Sequence, residues 1–450
     1  MNRHAFLLIL LLGLILRIAA LNSHDFWFDE ALTYHFAKLD LANLLTVVAA
    51  DNNPPLYYIL IHFLLKISSN EIFLRLPSLI AGIGTIIALW RLSPVAASLI
   101  SVSPLAIYIS SEARLHSMAA LLAVLVYISF LKVLKKNSLK NISQFILIST
   151  IALYTQYYLA LLLILFLIII YFKRKKSLWV PLTPFLILAP WLIFSINFGH
   201  NGCWCPNTAI SLPATLVSPI ISGVGIVTQR SFVDLPIPTL LLFSITALIF
   251  LIVFAKGIFR NLSLSIVYFI PIIILSFLGI FWPLFSPKGA AVFSPFFFLI
   301  CAKYFSEKSP GKNKLFLTLI TLLTLTSTIQ ITSPFFKGED LKLISQTIKT
   351  QNQNNVVLHT SLATFYSEKY YLPKSNHYLI TQNPLNQKMV DLIGGQEISA
   401  ITSFENTWFI PYPKWIDQKS YQNAKDMILN YQILKQYIID NIDVVYLGRK

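Results

Sequence analysis

The sequence predicts a polytopic α-helical membrane protein of about eleven transmembrane helices, followed by a small C-terminal α/β domain outside the cytoplasm. Three observations carry this expectation. Of 450 residues, 56% are hydrophobic and only 12% charged, with a mean hydropathy of +0.68; soluble domains carry about 25% charged residues. Apolar runs of near membrane-spanning length recur through the first three quarters of the chain. From residue 334 the composition turns polar and rich in Asn, Gln and Tyr.

The expected spans are 5–21, 74–91, 94–109, 115–134, 142–157, 158–172, 177–197, 237–255, 262–282, 289–305 and 314–332. Residues 1–21 read as a span rather than a cleaved leader, because no small-x-small site follows them and many apolar runs come after. "PPLYYILIHFLLKI" (54–67) is too short to cross and suits an interfacial or re-entrant helix. It therefore belongs to a long first outer loop, 22–73; a second outer loop covers 198–236. The expected domains are 1–333, transmembrane with these loops, and 334–450, extracytoplasmic. In the latter, "NVVLHTS", "NHYLIT" and "DVVYLG" read as strands and 420–438 as a helix.

The formal net charge is +16, but its distribution argues against a nucleic-acid partner. Basic residues gather in short loops between apolar runs: Lys132, Lys135, Lys136 and Lys140; Lys173 to Lys176; Lys256 and Arg260; Lys303, Lys308, Lys312 and Lys314. The positive-inside rule puts these loops in the cytoplasm. Before residue 334 the acids are Asp25, Asp29, Glu30, Asp40, Asp51, Glu71, Glu112, Asp234 and Glu307, and only Glu307 shares a basic loop. The N-terminus is thus expected inside, the C-terminus outside, and the working face outside the cytoplasm of an inner (plasma) membrane. Cys203 and Cys205 of "GCWCP" suit a strained disulfide or two free thiols and are too few for a zinc site. Cys301, in an apolar run, suits packing.

Five outer stretches hold groups able to do chemistry. "FDEA" sets Asp29 beside Glu30; a carboxylate here suits a general base or a cation ligand, and equally the first turn of an amphipathic helix. "NNPPLYY" offers Asn53, Tyr57 and Tyr58, for a ligand or for interfacial anchoring, with His62 and Lys66 just beyond. "FLRLPS" places Arg75 at an outer span end, facing an anion or snorkelling to head groups. "SPLAIYISSEARLHS" sets Glu112, Arg114 and His116 in a short outer turn, where a structural charge pair is the other reading. "FWPLFSPKGAAVFSP" carries Lys288 among prolines and small residues, suited to phosphate or to snorkelling. Arg17 is a further cation near the outer end of the first span. No GxxxxGK[ST] and no GxGxxG after a strand occurs, so cytosolic nucleotide chemistry is unsupported.

In their order, the basic residue of the first span, "FDEA", "NNPPLYY", "RLPS", "SP…YISSEAR" and "YTQYY" (154–158) resemble the GT-C membrane glycosyltransferases. The likeness is to the bacterial relatives of protein O-mannosyltransferases and of the lipid A aminoarabinose transferase, over roughly residues 1–335. The resemblance implies inverting transfer of a hexose or pentose from a polyprenyl-phosphate sugar to a lipid, glycan or protein acceptor on the outer face. Asp29 stands at that family's catalytic carboxylate, Glu30 follows as in the usual "DE", and Glu112 matches a second acidic position. Asn53 replaces the basic residue that precedes the family's "PP", and His116 stands where tyrosine is frequent. Arg75, Arg114 and Lys288 are the candidates for the donor phosphate, and Asn53, Tyr57, Tyr58, His62 and His116 for other substrate contacts. Some relatives bind a divalent metal ion and others work without one. A transporter or flippase of lipid-linked intermediates is the alternative; the outer placement of the charges and the lack of a visible repeat favour the enzyme.

Overall fold

The structure is a computed structural model. It describes residues 3–51, 53–173, 177–197, 236–281, 287–306, 309–336, 338–351, 356–380, 391, 393–398, 406–412, 418–440 and 442–449. Cys203, Cys205 and nearly all of the second outer loop lie outside these residues. The chain divides into two compact units: 1–23 with 48–57 and 70–336, and 24–47 with 58–69 and 337–450. Two stretches of the first outer loop therefore group with the C-terminal residues, which a contiguous division of the chain does not capture.

The first unit is helical. Among the described residues six helices are long and apolar enough to cross a membrane: Glu71–Trp90, His116–Lys135, Trp179–Ile196, Ile237–Ile258, Leu262–Phe281 and Pro310–Thr332. Arg3–Ala20, Leu139–Thr155 and Leu159–Lys173 add 18, 17 and 15 residues. Start signals explain several of them. Asn70, Ser93, Ser103, Ser138 and Ser309 each accept a first-turn backbone N–H, as helix caps should. Cys301 is buried, as expected, in the helix Ser294–Tyr304.

Two expected spans are not single helices. The run 94–109 divides into Pro94–Ser101 and Pro104–Ser110, because Pro104 has no N–H to continue the ladder. The carbonyls freed at the break must find donors in an apolar interior. Arg17, 1% exposed, supplies them: its guanidinium donates to the carbonyls of Ser101 at 2.7 Å, Ile100 at 3.3 Å and Gly13 at 3.0 Å, and to Ser110 Oγ at 3.3 Å. Ser327 Oγ donates to the Val102 carbonyl at 2.8 Å. Arg17 is thus a cation at a helix C-terminus, a favourable placement. The run 289–305 becomes the short turn Pro287–Ala290, a 3-10 turn over Ala291–Phe293 and the 11-residue helix Ser294–Tyr304, which restarts with Pro295 in its first turn.

The helices meet closely where Gly82 faces Ser110. A Cβ on Gly82 would collide with the Ser110 side chain and lie 3.2 Å from Arg17 Nε. Small residues permit this approach. Gly82→Val is expected to lower the thermal midpoint of the purified protein by an overpacking cost of about 1–3 kcal/mol; an unchanged midpoint would show that the helices yield freely there.

The second unit is built on one sheet. Strands β1 (Val356–His359), β2 (Asn376–Ile380), β3 (Gln396–Ile398), β4 (Asn406–Ile410), β5 (Tyr431–Ile439) and β6 (Ile442–Arg449) lie in the order β3-β2-β1-β4-β6-β5. β1 pairs parallel with β2 and β4, β2 parallel with β3, and β6 antiparallel with β4 and β5. Side chains alternate across it. Val357, Trp408, Ile410, Val444 and Tyr446 join the helix Leu341–Thr350 on one face, and Val356, Leu358, Phe409, Val445 and Leu447 pack on the other. The expected helix over 420–438 is corrected: a helix spans Gln418–Met427 and β5 follows. The apolar residues of "YQILKQYII" read as helical spacing, but antiparallel pairing with β6 decides the outcome. Asp440, φ 51°, makes the hairpin turn, a left-handed conformation that aspartate tolerates.

Two polar clusters are buried in this unit. His377 Nε2–H donates to the Leu372 carbonyl at 2.9 Å, so its Nδ1 accepts from His359 Nε2–H, also at 2.9 Å. The Thr364 hydroxyl reaches His359 Nδ1 at 3.2 Å. Ser345 Oγ donates to Glu368 at 2.5 Å. Burial lowers His359 well below the usual imidazole range, with the neighbouring His377 and Lys369 adding to the effect. Burial lowers His377 to about 4 and His35 to about 3, and it raises Glu368 to about 8.

A pH optimum follows. Glu368, raised in the folded state, stabilises fully below the unfolded value of 4.5 and loses this as pH rises through about 8. The three depressed histidines stabilise above the unfolded 6.5 and lose this as pH falls toward about 4 and about 3. The two trends cross near neutrality. Unfolding stability is expected to peak near neutral pH and to fall on the acid side, where three depressed histidines outweigh Glu368. Thermal midpoints between pH 4 and 9 check this; a midpoint rising steadily with acidity would contradict it.

Candidate active site

In the first unit the turn after Pro104–Ser110 holds Glu112 in full burial. Lys288 Nζ donates to Glu112 Oε1 and to the Tyr108 hydroxyl, each at 3.1 Å. The other oxygen, Oε2, has no hydrogen-bond partner among the described residues. Gly289, beside the lysine, leaves its space to the ring of Tyr158, which a Cβ would strike.

The same unit fastens Arg114 through its backbone. Ser78 Oγ donates to the Arg114 carbonyl at 2.9 Å. With that hydrogen committed, the Tyr57 hydroxyl, 2.9 Å away, is the donor to Ser78 Oγ. Arg75 and Arg114 are 0% and 7% exposed. Arg75 Nη1 donates to the Leu21 carbonyl, just past the first helix, at 2.5 Å. Asn53 Nδ2 donates to Asp51 Oδ2 at 3.1 Å. His116 is buried at the start of His116–Lys135.

In the second unit Asp29 and Glu30 occupy the first turn of the helix Phe28–Lys38, where the helix dipole favours negative charge. Asp29 is half-buried and its carbonyl accepts from Thr33 Oγ1 at 2.9 Å. Glu30 is buried, 3.6 Å from His24 Nδ1. Tyr58 sets its ring 6.0 Å from Phe36, centroid to centroid, and His62 Nδ1–H donates to the Ala37 carbonyl at 2.8 Å. Both residues therefore hold this helix.

The candidates fall into both units. Asn53, Tyr57, Arg75, Glu112, Arg114, His116 and Lys288 belong to the first; Asp29, Glu30, Tyr58 and His62 belong to the second. Within the first, Glu112 joins Lys288, and Tyr57 joins Arg114 through Ser78. Tyr108 and Ser78 were not singled out from sequence. Helical spacing held the signal: Ser78 lies three residues after Arg75 on one helix, and Tyr108, in the last turn of the helix Pro104–Ser110, lies four residues before Glu112. Among the described residues no three His, Cys, Asp or Glu side chains gather as a metal site would require.

The fold is similar to that of ArnT. Two solved structures carry the comparison over nearly the whole chain. ArnT from Cupriavidus metallidurans bound to undecaprenyl phosphate aligns with a TM-score of 0.61 at 11% identity, over 99% of this chain and 98% of that one. ArnT from the same organism in the apo state aligns at 0.64 and 10% identity, over 98% and 97%. No family model and no curated protein sequence matches the chain.

Proposed function

We propose that this protein is an inverting membrane glycosyltransferase that moves a sugar from a polyprenyl-phosphate donor to an acceptor hydroxyl on the extracytoplasmic face of the inner membrane. The observation that supports it most is the full-length likeness of fold to ArnT, a protein solved with undecaprenyl phosphate. Asp29 is the general base: its carboxylate takes the proton of the acceptor hydroxyl as the oxygen attacks the anomeric carbon. The bond from that carbon to the phosphate oxygen breaks, and its electron pair leaves on the polyprenyl phosphate. Attack from the opposite face inverts the configuration, as in single-displacement glycoside chemistry.

Arg75, Arg114 and Lys288 are the cations for the departing phosphate. Lys288, with a side chain 21% exposed, is the most open of the three and would exchange or share Glu112 with the phosphate. The test is incubation of the purified protein in proteoliposomes with a polyprenyl-phosphate sugar and a lipid extract of its native envelope. A glycosylated product of inverted configuration supports the reading; retained configuration would contradict it.

A further inference from the structure

The segment bearing Asp29 folds with the C-terminal residues, 24–47 grouping with 337–450. Four separate ties hold it there. The Asp25 carboxylate accepts the Lys342 backbone N–H at 2.8 Å in the first turn of the helix Leu341–Thr350, beside the Asp340 cap. The Phe26 N–H donates to the Tyr371 hydroxyl at 2.8 Å. His35 Nε2–H donates to the Tyr366 carbonyl at 2.9 Å. Aromatic rings close the seam: Phe26 on Tyr370 at 4.5 Å, Tyr34 on Tyr370 at 4.8 Å and Phe28 against Tyr366 at 5.8 Å.

These ties bracket the carboxylate. Phe28 and His35 are seven residues apart, hence on one face of their helix, and that face meets the helix Leu362–Tyr371. Asp29, one position on from Phe28, points about 100° away from it. The carboxylate thus sits on a helix whose back is locked and whose reactive residue stays off the seam. Its angle is set by a domain more than 300 residues later in the chain.

We propose that the helix Leu362–Tyr371 of the C-terminal domain is a positioning element for Asp29, with His35 and Tyr371 as positioning residues. This rests on Asp29 being the base. It gives the C-terminal domain a task in the reaction itself, that of aiming a carboxylate it does not carry. Loss of a tie lets the helix Phe28–Lys38 rock on its seam. The base is then misaimed while donor binding, assigned to residues of the other unit, is untouched; misplacement by about 1 Å is enough to cost two orders of magnitude.

The test uses the full-length protein with His35→Leu, Tyr371→Phe and His35→Gln, whose amide still donates. Three readouts are taken: transfer kinetics, thermal midpoint, and amide hydrogen exchange across 28–38. His35→Leu and Tyr371→Phe are expected to lower kcat at least tenfold with donor KM within threefold. Exchange across 28–38 should quicken at least tenfold, and His35→Gln should recover most of both. Unchanged exchange overturns the tie itself, whatever the kinetics. Faster exchange with wild-type kcat overturns the positioning role. So does a joint rise in KM and fall in midpoint, which marks general unfolding. An inactive wild type whose exchange still responds contradicts the transferase reading and leaves the tie standing, so the two failures are distinct.

Discussion

Asp29→Asn is expected to reduce sugar transfer by about 10²–10⁴-fold, the usual contribution of a positioned general base, while leaving the fold intact. The substitution is nearly isosteric. Asp29 is half-buried on the first turn of its helix, and the Thr33 hydroxyl bonds its backbone carbonyl rather than its carboxylate. The lost interaction with the helix dipole contributes a cost of about 0.3–1 kcal/mol. Turnover, donor KM and thermal midpoint measured on one preparation separate these effects. The account needs a collapse of kcat, a near-constant KM and a near-constant midpoint. Wild-type turnover in Asp29→Asn would remove Asp29 as the base.

Lys288→Ala is expected to have the next largest effect, and here stability and function fall together. Glu112 is fully buried and its ion pair with Lys288 spans 3.1 Å. Removing one partner strands a charge in a low-dielectric interior, at a cost of about 3–5 kcal/mol. The double variant Lys288→Met with Glu112→Gln removes the stranded charge and is expected to regain much of that loss. The double variant also divides the two tasks of the lysine. If Lys288 serves the donor phosphate, affinity for polyprenyl phosphate stays at least tenfold weaker after the midpoint recovers. If it only neutralises Glu112, affinity returns with stability.

The membrane helices were legible because hydropathy over about 20 residues is a long, redundant signal. β1, β2 and β6 were legible because β-branched and aromatic runs bounded by polar residues mark strands. The breaks were harder. Ser103–Pro104 interrupts a run that stays apolar on both sides, and what makes the break tolerable is Arg17, 84 positions from Ser101. Strand β5 carries apolar residues at helical spacing, and only its pairing with β6 reveals its state.

The candidate site was legible as a set of residue types at span ends, not as contacts. Glu112 and Lys288 meet across 176 positions, and no local pattern announces that. The membership of 24–47 in the C-terminal unit rests on bonds such as Phe26 to Tyr371, across 345 positions. Tyr366, Tyr370 and Tyr371 match no motif in the sequence, yet they hold the helix of Asp29.

The most direct measurement is the fate of the donor lipid. Purified protein in proteoliposomes would be given a polyprenyl-phosphate sugar and envelope lipid extract, and the lipid followed by mass spectrometry. The account predicts free polyprenyl monophosphate appearing in step with a glycosylated acceptor, and neither with Asp29→Asn. Intact donor recovered in the opposite leaflet, with no polyprenyl monophosphate released, would contradict it and identify a flippase.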